Sequence, residues 1–466
     1  MFDENEDYSS QDTTALLNKF EEMLKKNTQY FFDVEEFEEI IDSLIEERNI
    51  SKALKACKLA ISQHPFTISL LIKQAQLFVA SNNIKKALEI LNKAESFEPS
   101  NSDISITRGG IFSQLGEYDK AIDSYKNSLT HTNDKDEIYM FIAFEYQNKK
   151  DFEKAIHYLK KALKLNSENE FALYEIAFCY SILDKEDSAL NFYLEFLNEH
   201  PYSFAAWYNL GISYSKLDLF EKAIEAFDYA LAIDEFFTSA LYGKAQALSN
   251  LDKFSEAIEI YKTIITEDPG DAFTYYMLGE CFEKMELYEQ SLEQYNFALK
   301  HDEFFVDAMV GKAVVLDAME KSEAAIFVMQ KALELEKDNG EFWFIYTEIL
   351  TKKGEFEEAE IAFFKTIKLI PNDTDVWLDF SEFYYKQEKI DNAIHIAEEG
   401  LQNLPGDYEI FYRLAALNYS KGNHQKADIY LQKALAIDKK GIEDMFTFLP
   451  FLRTFDRINH LLDSHN

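Results

Sequence analysis

The sequence predicts an all-α protein assembled from a repeated unit of 34 residues. Among its 466 residues 14 are Gly and 7 are Pro, which is few for a chain with many sheets, turns and linkers. Alanine recurs at intervals of 34 residues. Six of the seven prolines are separated by multiples of the same number, and they are Pro65, Pro99, Pro201, Pro269, Pro371 and Pro405. A fixed period of this length indicates an internal structural repeat.

The alanine series sets the register of the repeat. It is interrupted once, by Ser291, and all three tryptophans also share one phase of the period. Its members are Ala53, Ala87, Ala121, Ala155, Ala189, Ala223, Ala257, Ala325, Ala359, Ala393 and Ala427. Twelve units without insertion or deletion then fit between Val34 and Gly441. They are 34–67, 68–101, 102–135, 136–169, 170–203, 204–237, 238–271, 272–305, 306–339, 340–373, 374–407 and 408–441.

Each unit contains two apolar patterns of helical period. In the sixth unit the first pattern comprises Trp207, Leu210, Gly211 and Tyr214, and the second comprises Ala223, Phe227 and Ala230. Small residues at the eighth and twentieth places allow the two helices to cross closely. Proline at the thirty-second place ends the second helix or begins the next one, where its missing N–H costs little.

The two ends of the chain are predicted to cap the repeats. Residues 1–33 predict an acidic N-terminal tail followed by a capping helix at 12–26. Residues 442–466 predict a C-terminal helical segment that is disturbed by Pro450. Its apolar side comprises Phe446, Leu449, Leu452 and Phe455.

The repeat resembles the tetratricopeptide repeat (TPR). The run Trp207-Tyr208-Asn209-Leu210-Gly211, followed by Tyr214, is close to the ideal first helix of that family, and the resemblance covers residues 34–441. It implies a right-handed superhelical solenoid of about twelve helix-turn-helix repeats, with its inner groove lined by the first helices. Such repeats bury their faces against neighbours, so the ends need polar caps. The resemblance also implies a non-enzymatic scaffold or adaptor for protein–protein interaction.

Charge and composition restrict the partners that we expect. The net charge of −37 repels phosphate backbones, so we expect no nucleic acid, whereas it attracts and steers basic partners. Solubility alone is an alternative explanation for the charge. The three cysteines are more than a hundred residues apart, which favours a reducing compartment. The acidic N-terminus does not resemble a signal peptide and no stretch predicts a membrane span, so we expect a cytoplasmic protein.

Catalytic and cofactor motifs are missing from the sequence. It contains no GxGxxG, GxxxxGK[ST], HExxH or GxSxG, and its nine histidines are scattered. Adjacent acids are so frequent that they indicate solvated helix faces. We therefore predict no catalytic residues, no metal site, no cofactor and no enzymatic activity.

The places that line the groove in the TPR family give two zones here. The aromatic zone comprises Phe141, Phe144, Phe171, Tyr174, Phe178, Tyr208 and Ile212, and a tyrosine stripe continues through Tyr242 and Tyr276. The acidic zone comprises Glu280, Glu283, Asp317, Glu348 and Glu382. Tyrosine at the fifth place is common in ideal repeats, so the stripe is partly explained by family habit. Contiguous exposed aromatics usually mark a contact surface.

Some family members bind C-terminal carboxylates through a clamp of Lys, Arg and Asn. The corresponding places hold Lys73, Asn209 and Arg413, which are too far apart in sequence to converge. We predict instead a protein or peptide ligand with an apolar or aromatic anchor followed by a Lys/Arg-rich stretch. The alternative is a structural subunit of a larger assembly, which self-associates through its edges. A transcription regulator and an RNA-binding repeat protein are both opposed by the charge and by the short segment before the first repeat.

Overall fold

The computed structural model describes residues 4–26 and 30–465, and it divides the chain into two compact units, Met1–Ala247 and Leu248–Asn466. Throughout the described residues the regular structure is helical, so the predicted all-α class is confirmed. Residues 1–3 of the predicted acidic tail lie outside the described part. Among the helices that are described, none has the length and hydrophobicity needed to cross a membrane.

The helices alternate between first and second members of twelve pairs, which begin at intervals close to 34 residues. The first helices are α2 (Val34–Glu46), α4 (Ile68–Ala80), α6 (Ser102–Gln114), α8 (Lys135–Asn148), α10 (Glu170–Ile182), α12 (Phe204–Lys216), α14 (Thr238–Asn250), α16 (Ala272–Lys284), α18 (Val306–Ala318), α20 (Gly340–Lys353), α22 (Thr374–Lys386) and α24 (Tyr408–Ser420). The second helices are α3 (Ile50–Gln63), α5 (Ile84–Phe97), α7 (Tyr118–Ser128), α9 (Phe152–Leu165), α11 (Glu186–Glu199), α13 (Phe220–Ile233), α15 (Phe254–Glu267), α17 (Tyr288–His301), α19 (Ser322–Leu335), α21 (Phe356–Leu369), α23 (Ile390–Asn403) and α25 (His424–Ile437).

The alanine series forms the crossing point of each helix pair. Every alanine of the series has a relative exposure of 0 or 1%. Ser291, which interrupts the series, is also fully buried, and its hydroxyl donates a hydrogen bond to the Gly279 carbonyl at 2.8 Å. The buried serine is therefore tolerated because its polar group is satisfied within the helix pair.

Two aromatic rings in the pair cores require glycine on both of the first helices that they contact. A Cβ added to Gly211 would lie 2.6 Å from the ring of Phe227, and one added to Gly243 would lie 2.5 Å from the same ring. In the second unit, Gly279 and Gly311 have the same relation to Tyr295. A large ring is accommodated at these levels because both neighbouring backbones lack a side chain.

The tryptophans share one phase because each ties its helix to the preceding loop. The indole N–H of Trp207 donates to the Pro201 carbonyl, and that of Trp377 donates to the Pro371 carbonyl, both at 2.9 Å. Trp343 makes the same bond to the Lys337 carbonyl at 2.9 Å. An amphipathic ring that buries its body and satisfies its N–H in this way fixes the angle between successive repeats.

The turn inside every repeat contains one residue with a left-handed backbone. These residues recur every 34 positions, and three of the twelve are glycines: Arg48, Asn82, Gly116, Lys150, Asp184, Asp218, Asp252, Glu286, Glu320, Gly354, Glu388 and Gly422. In the fourth repeat the next N–H, that of Asp151, donates to the Tyr146 carbonyl at 2.8 Å. This is the hydrogen bond of a Schellman C-cap, which satisfies the last carbonyls of the first helix and reverses the chain.

Within each unit the first helices lie on the inner side of the curve. In the first unit α10 contacts α12, and in the second unit α22 contacts α24, whereas the second helices of neighbouring repeats do not contact one another to the same extent. Helices on the inside of a curved stack approach more closely than those on the outside. Side chains on the free face of a first helix are therefore presented to the concave side of its unit.

Helical segments cover the ends of the repeats. α1 (Glu4–Lys26) is longer than the predicted 12–26, and Phe20 and Met23 on it are buried. After the last repeat come α26 (Ile442–Phe448), a 3₁₀ helix (Pro450–Thr454) and α27 (Asp456–His465). Leu449 and Leu452 are buried there. The proline thus divides the C-terminal segment into short pieces, because it can begin a helix but cannot continue one.

We expect Gly116→Ala to lower the free energy of unfolding by about 1 kcal/mol, because Gly116 has φ +72° and an L-residue is strained there. The nearest atom to an added Cβ is 4.0 Å away, so the cost is confined to the backbone. Gly110→Ala, in α6 of the same repeat, is the matched control and is expected to stabilise by about 0.5 kcal/mol. Chemical denaturation followed by circular dichroism measures both. A neutral Gly116→Ala would contradict the assignment of strain to the turn.

Candidate functional site

The first unit exposes an aromatic stripe on α10. Phe171, Tyr174 and Phe178 stand at positions i, i+3 and i+7 of this helix and therefore share one face. Phe171 is 54% exposed and Phe178 is 50% exposed, whereas the opposite face of α10 is buried. We call these three residues, with the half-buried Phe144 and Tyr208 beside them, the aromatic surface.

Neighbouring rings support the aromatic surface from both sides. Phe144 of α8 packs on Phe171 with ring centroids 5.7 Å apart. Phe178 meets Phe152 edge to face at 6.2 Å. On the other side Tyr174 lies 6.1 Å from Tyr208. Such pairs hold the rings in place, so the surface is rigid before any partner arrives.

The remaining predicted apolar residues of the first unit are less accessible. Phe141 is half-buried and packs on Tyr125 with centroids 5.4 Å apart. Ile212 and Tyr242 are also half-buried. Burial raises the pKa of Tyr174 to about 12, with smaller contributions from Glu170 and Tyr208, so its hydroxyl is neutral and available as a hydrogen-bond donor.

Most of the predicted acidic zone, which lies in the second unit, is already paired within the chain. Glu280 accepts a hydrogen bond from the Tyr276 hydroxyl at 2.7 Å, and Glu283 accepts one from the Tyr295 hydroxyl at 2.6 Å. Asp317 accepts from Ser322 at 2.8 Å and from the Lys352 ammonium at 2.8 Å. These carboxylates stabilise the helix pairs and are not free acceptors for a partner.

Glu382 is paired as well, and it anchors one wall of a cavity. It lies 2.8 Å from the Lys386 ammonium and 3.2 Å from the Arg413 guanidinium. Burial alone would raise the pKa of Glu382, but the hydrogen bond from Lys386 and the charge of Arg413 lower it overall. Arg413 is itself fixed, because its guanidinium stacks 3.6 Å from the ring centroid of Phe448.

A cavity of about 550 Å³ lies between α20, α21 and α22 on this face of the second unit. Phenylalanine rings and carboxylates both contribute to its walls. It is lined by Glu348, Thr351, Lys352, Phe356, Phe363, Asp379, Glu382, Phe383 and Lys386. The two lysines are engaged elsewhere, with Asp317 and Glu382. A mixed wall of this kind suits a cation on an apolar stem.

Two carboxylates in the cavity have no partner among the described residues. Asp379 is half-buried and Glu348 is exposed at the rim, and neither forms a hydrogen bond or an ion pair there. Burial raises the pKa of Asp379 to about 6, with further increases from Glu382 and Glu348. The pKa of Glu348 is also raised, by burial and by Asp317. The hydroxyl oxygen of Thr351 in the same wall is buried and unpaired. The cavity therefore has unused acceptors.

The three places that could have formed a carboxylate clamp are occupied. Lys73 pairs with Asp42 at 2.5 Å, and Asn209 is buried with its amide donating to the Ala205 carbonyl at 2.8 Å. Arg413 is held by Glu382. The residues that sequence reasoning missed are Asp379, Thr351 and the three phenylalanines of the cavity. Asp379 stands at the sixth place of its repeat, a groove place in the family, and could have been included on that ground.

The geometry defines a class of protein, a helical-repeat solenoid with chemically distinct surfaces along its first helices. TPR family models match residues 109–138, 136–169, 204–237, 238–271, 306–339 and 381–442. The chain belongs to the tetratricopeptide-repeat proteins, as the spacing of its alanines and prolines predicts. Proteins of this fold generally mediate protein–protein interactions and act as scaffolds.

Solved structures of other repeat proteins are similar to this chain. A tetratricopeptide repeat protein from Parabacteroides merdae is 19% identical over 53% of this chain and 98% of its own, with a TM-score of 0.40. Yeast Tom70 is 13% identical over 90% of this chain and 96% of its own, with a TM-score of 0.43. A TPR protein of Thermus thermophilus is 21% identical over 39% of this chain and 100% of its own, with a TM-score of 0.34. No curated protein sequence matches the chain.

We expect Asp379→Asn to raise the melting temperature by a few degrees at about pH 7.5, because an amide has no charge to desolvate. The folded-state pKa of about 6 lies above the ordinary value of 3.8, so folding binds a proton and stability falls as pH rises between these values. At about pH 4.5, where Asp379 is protonated in the folded protein, the gain should shrink. Calorimetry at both values measures it. Glu341→Gln, an exposed acid on α20, is the control and should change neither melting temperature.

Proposed function

We propose that this protein is a non-enzymatic scaffold or adaptor that binds partner proteins through the free faces of its first helices. The observation that carries the proposal is the exposure of Phe171 and Phe178 on one face of α10. A surface helix normally turns its apolar stripe toward the core, and α10 has a second apolar stripe facing outward. Contiguous exposed aromatics of this kind are typical of a contact surface.

The partner that we propose carries an apolar or aromatic anchor for the aromatic surface. Phe171 and Phe178 are supported by Phe144 and Phe152, so binding does not require the rings to be ordered first. A rigid aromatic patch loses little side-chain entropy on binding. Large aromatic contacts concentrate binding energy, and we therefore assign affinity mainly to this surface.

The partner also carries basic side chains, which we assign to the cavity between α20 and α22. Asp379 and Glu348 are unpaired there, while the ring of Phe383 gives an apolar wall for a lysine stem. A half-buried carboxylate without a partner is costly, and a ligand ammonium would relieve that cost. The overall net charge of −37 steers basic segments toward the protein and adds to the on-rate. The working compartment that we propose is a reducing one such as the cytoplasm, which fits three buried free thiols.

The alternative function is a structural subunit that self-associates. Exposed aromatics also lie in the loops between repeats, at Phe66, Tyr202 and Phe236. Sedimentation velocity over a wide concentration range separates the two functions. A mass that rises with concentration, and that falls back when a loop aromatic is replaced by serine, would favour the structural subunit.

We expect Phe171→Ser combined with Phe178→Ser to remove most partners captured from a native lysate at low salt. Both side chains are half exposed, so the fold should be retained, and a matched circular dichroism spectrum checks it. Loss of one aromatic anchor typically costs about 2 kcal/mol of binding free energy. Tyr202→Ser is the control, because Tyr202 is more exposed than either phenylalanine but lies in a loop. If the double variant and the control capture the same proteins, the aromatic surface is not the binding surface.

We expect a hexalysine peptide to bind more weakly at about pH 5 than at about pH 7.5, by up to about tenfold, because Asp379 becomes protonated over this range. Affinity should also fall as salt is added, since screening weakens exposed charge contacts. Isothermal titration calorimetry measures both dependences. Asp379→Asn should weaken binding at the higher pH and flatten the pH dependence, whereas Glu341→Gln removes the same charge and should leave both unchanged. Equal binding by the two variants would remove the cavity from the proposed function.

A further inference from the structure

A second groove lies on the other side of the second unit, away from the free faces of the first helices. It has a volume of about 720 Å³ and runs between α17 and the pair α18–α19. Its floor is apolar, and it is lined by Leu292, Asn296, Leu299, Glu303, Phe304, Met309, Lys312, Leu316, Ala324, Phe327, Val328, Lys331, Glu334 and Leu335. A smaller cavity of about 370 Å³ continues along α17 and shares Leu292 and Asn296 with it.

Large apolar side chains remain exposed along the rim of this groove. Phe304 is 65% exposed and Phe327 is 58% exposed. Leu335 is exposed at one end, and Phe297 of the continuing cavity is exposed at the other. A small ligand within the groove would leave these rim residues uncovered, because small-molecule sites enclose most of their ligand. The rim therefore fits a polypeptide segment that lies along α17.

The groove also holds two lysines without a carboxylate partner, which is unusual in a chain with 84 acids and 47 basic residues. Lys312 and Lys331 form no ion pair within the described residues. The Lys331 ammonium lies over the Phe327 ring, 4.6 Å from its centroid. Burial lowers the pKa of Lys312, and the charge of Lys331 lowers it further, so the two ammonium groups repel each other at one site. The nearby Glu303 and Glu334 are exposed, and neither pairs with them.

We infer that this groove is a second docking site, and that its occupant is a peptide segment of a partner protein with a carboxylate placed between apolar side chains. The carboxylate pairs with Lys312 and relieves its repulsion from Lys331, while the apolar side chains cover Phe304 and Phe327. The charge preference is opposite to that of the cavity between α20 and α22. The two sites would therefore select different segments, and the protein could hold an acidic and a basic segment at once.

The test is selection of a display library of random peptides on the immobilised full chain, followed by titration of the enriched peptides in synthetic form. We expect a group of peptides in which Asp or Glu is flanked by apolar residues. Their affinity should fall about tenfold on Lys312→Met, which keeps the apolar stem, and on Phe327→Ala. Replacing the peptide's acid by its amide should weaken binding to the natural chain and change binding to Lys312→Met little.

The controls are Lys368→Met and Phe364→Ala on α21, where the lysine and the phenylalanine are also exposed but lie outside the groove. Melting curves confirm that each variant folds. The inference is overturned if no enriched peptide responds to Lys312→Met or Phe327→Ala, or if those that respond lack a carboxylate. Sedimentation velocity covers the other occupant: self-association that Phe327→Ala abolishes would assign the groove to a second copy of this chain and would also overturn the inference.

Discussion

Close crossing of the two helices in each pair is the constraint on which the rest of this structure depends. The backbones approach so closely at the twentieth place of each repeat that alanine, or serine with an internal hydrogen bond, is found there. Where a large ring enters the pair, as at Phe227, glycine is needed on both adjoining first helices. Because protein interiors are close-packed, each pair transmits this fit to its neighbours and sets the position of every first helix.

This packing uses one side of each first helix and leaves the other side free to carry specific chemistry. In the first unit α10 places Phe171 and Phe178 on its free face. In the second unit the free faces carry acids, but many of these are consumed by tyrosines, lysines and Arg413 of the same unit. Asp379 and Glu348 remain without partners. The acceptors available to a ligand are therefore far fewer than the number of acids, and their positions depend on which neighbours have already paired.

The local features of the fold were largely predictable. The 34-residue spacing of small residues and prolines predicts the helix pairs, because both the crossing and the helix stop require particular residue types. The left-handed residue of each turn was not predictable from residue type, since Lys150 and Glu286 adopt it as readily as Gly116. The Schellman hydrogen bond and the packing of the two helices impose that conformation. The aromatic surface was predicted in outline, but exposure distinguishes Phe171 and Phe178 from the half-buried Phe144.

By itself the sequence determined the all-α class, the repeat register and the family, because these follow from a periodic steric requirement that each repeat states again in its own residues. Tertiary structure decided which of the predicted site residues are free to act. Pairing of Glu283 with Tyr295, the unpaired state of Asp379 and the lysines of the outer groove all depend on contacts between residues far apart in the repeat or in neighbouring repeats. Such contacts have no signature in spacing, since a charge reveals its partner only when the chain has brought the two together.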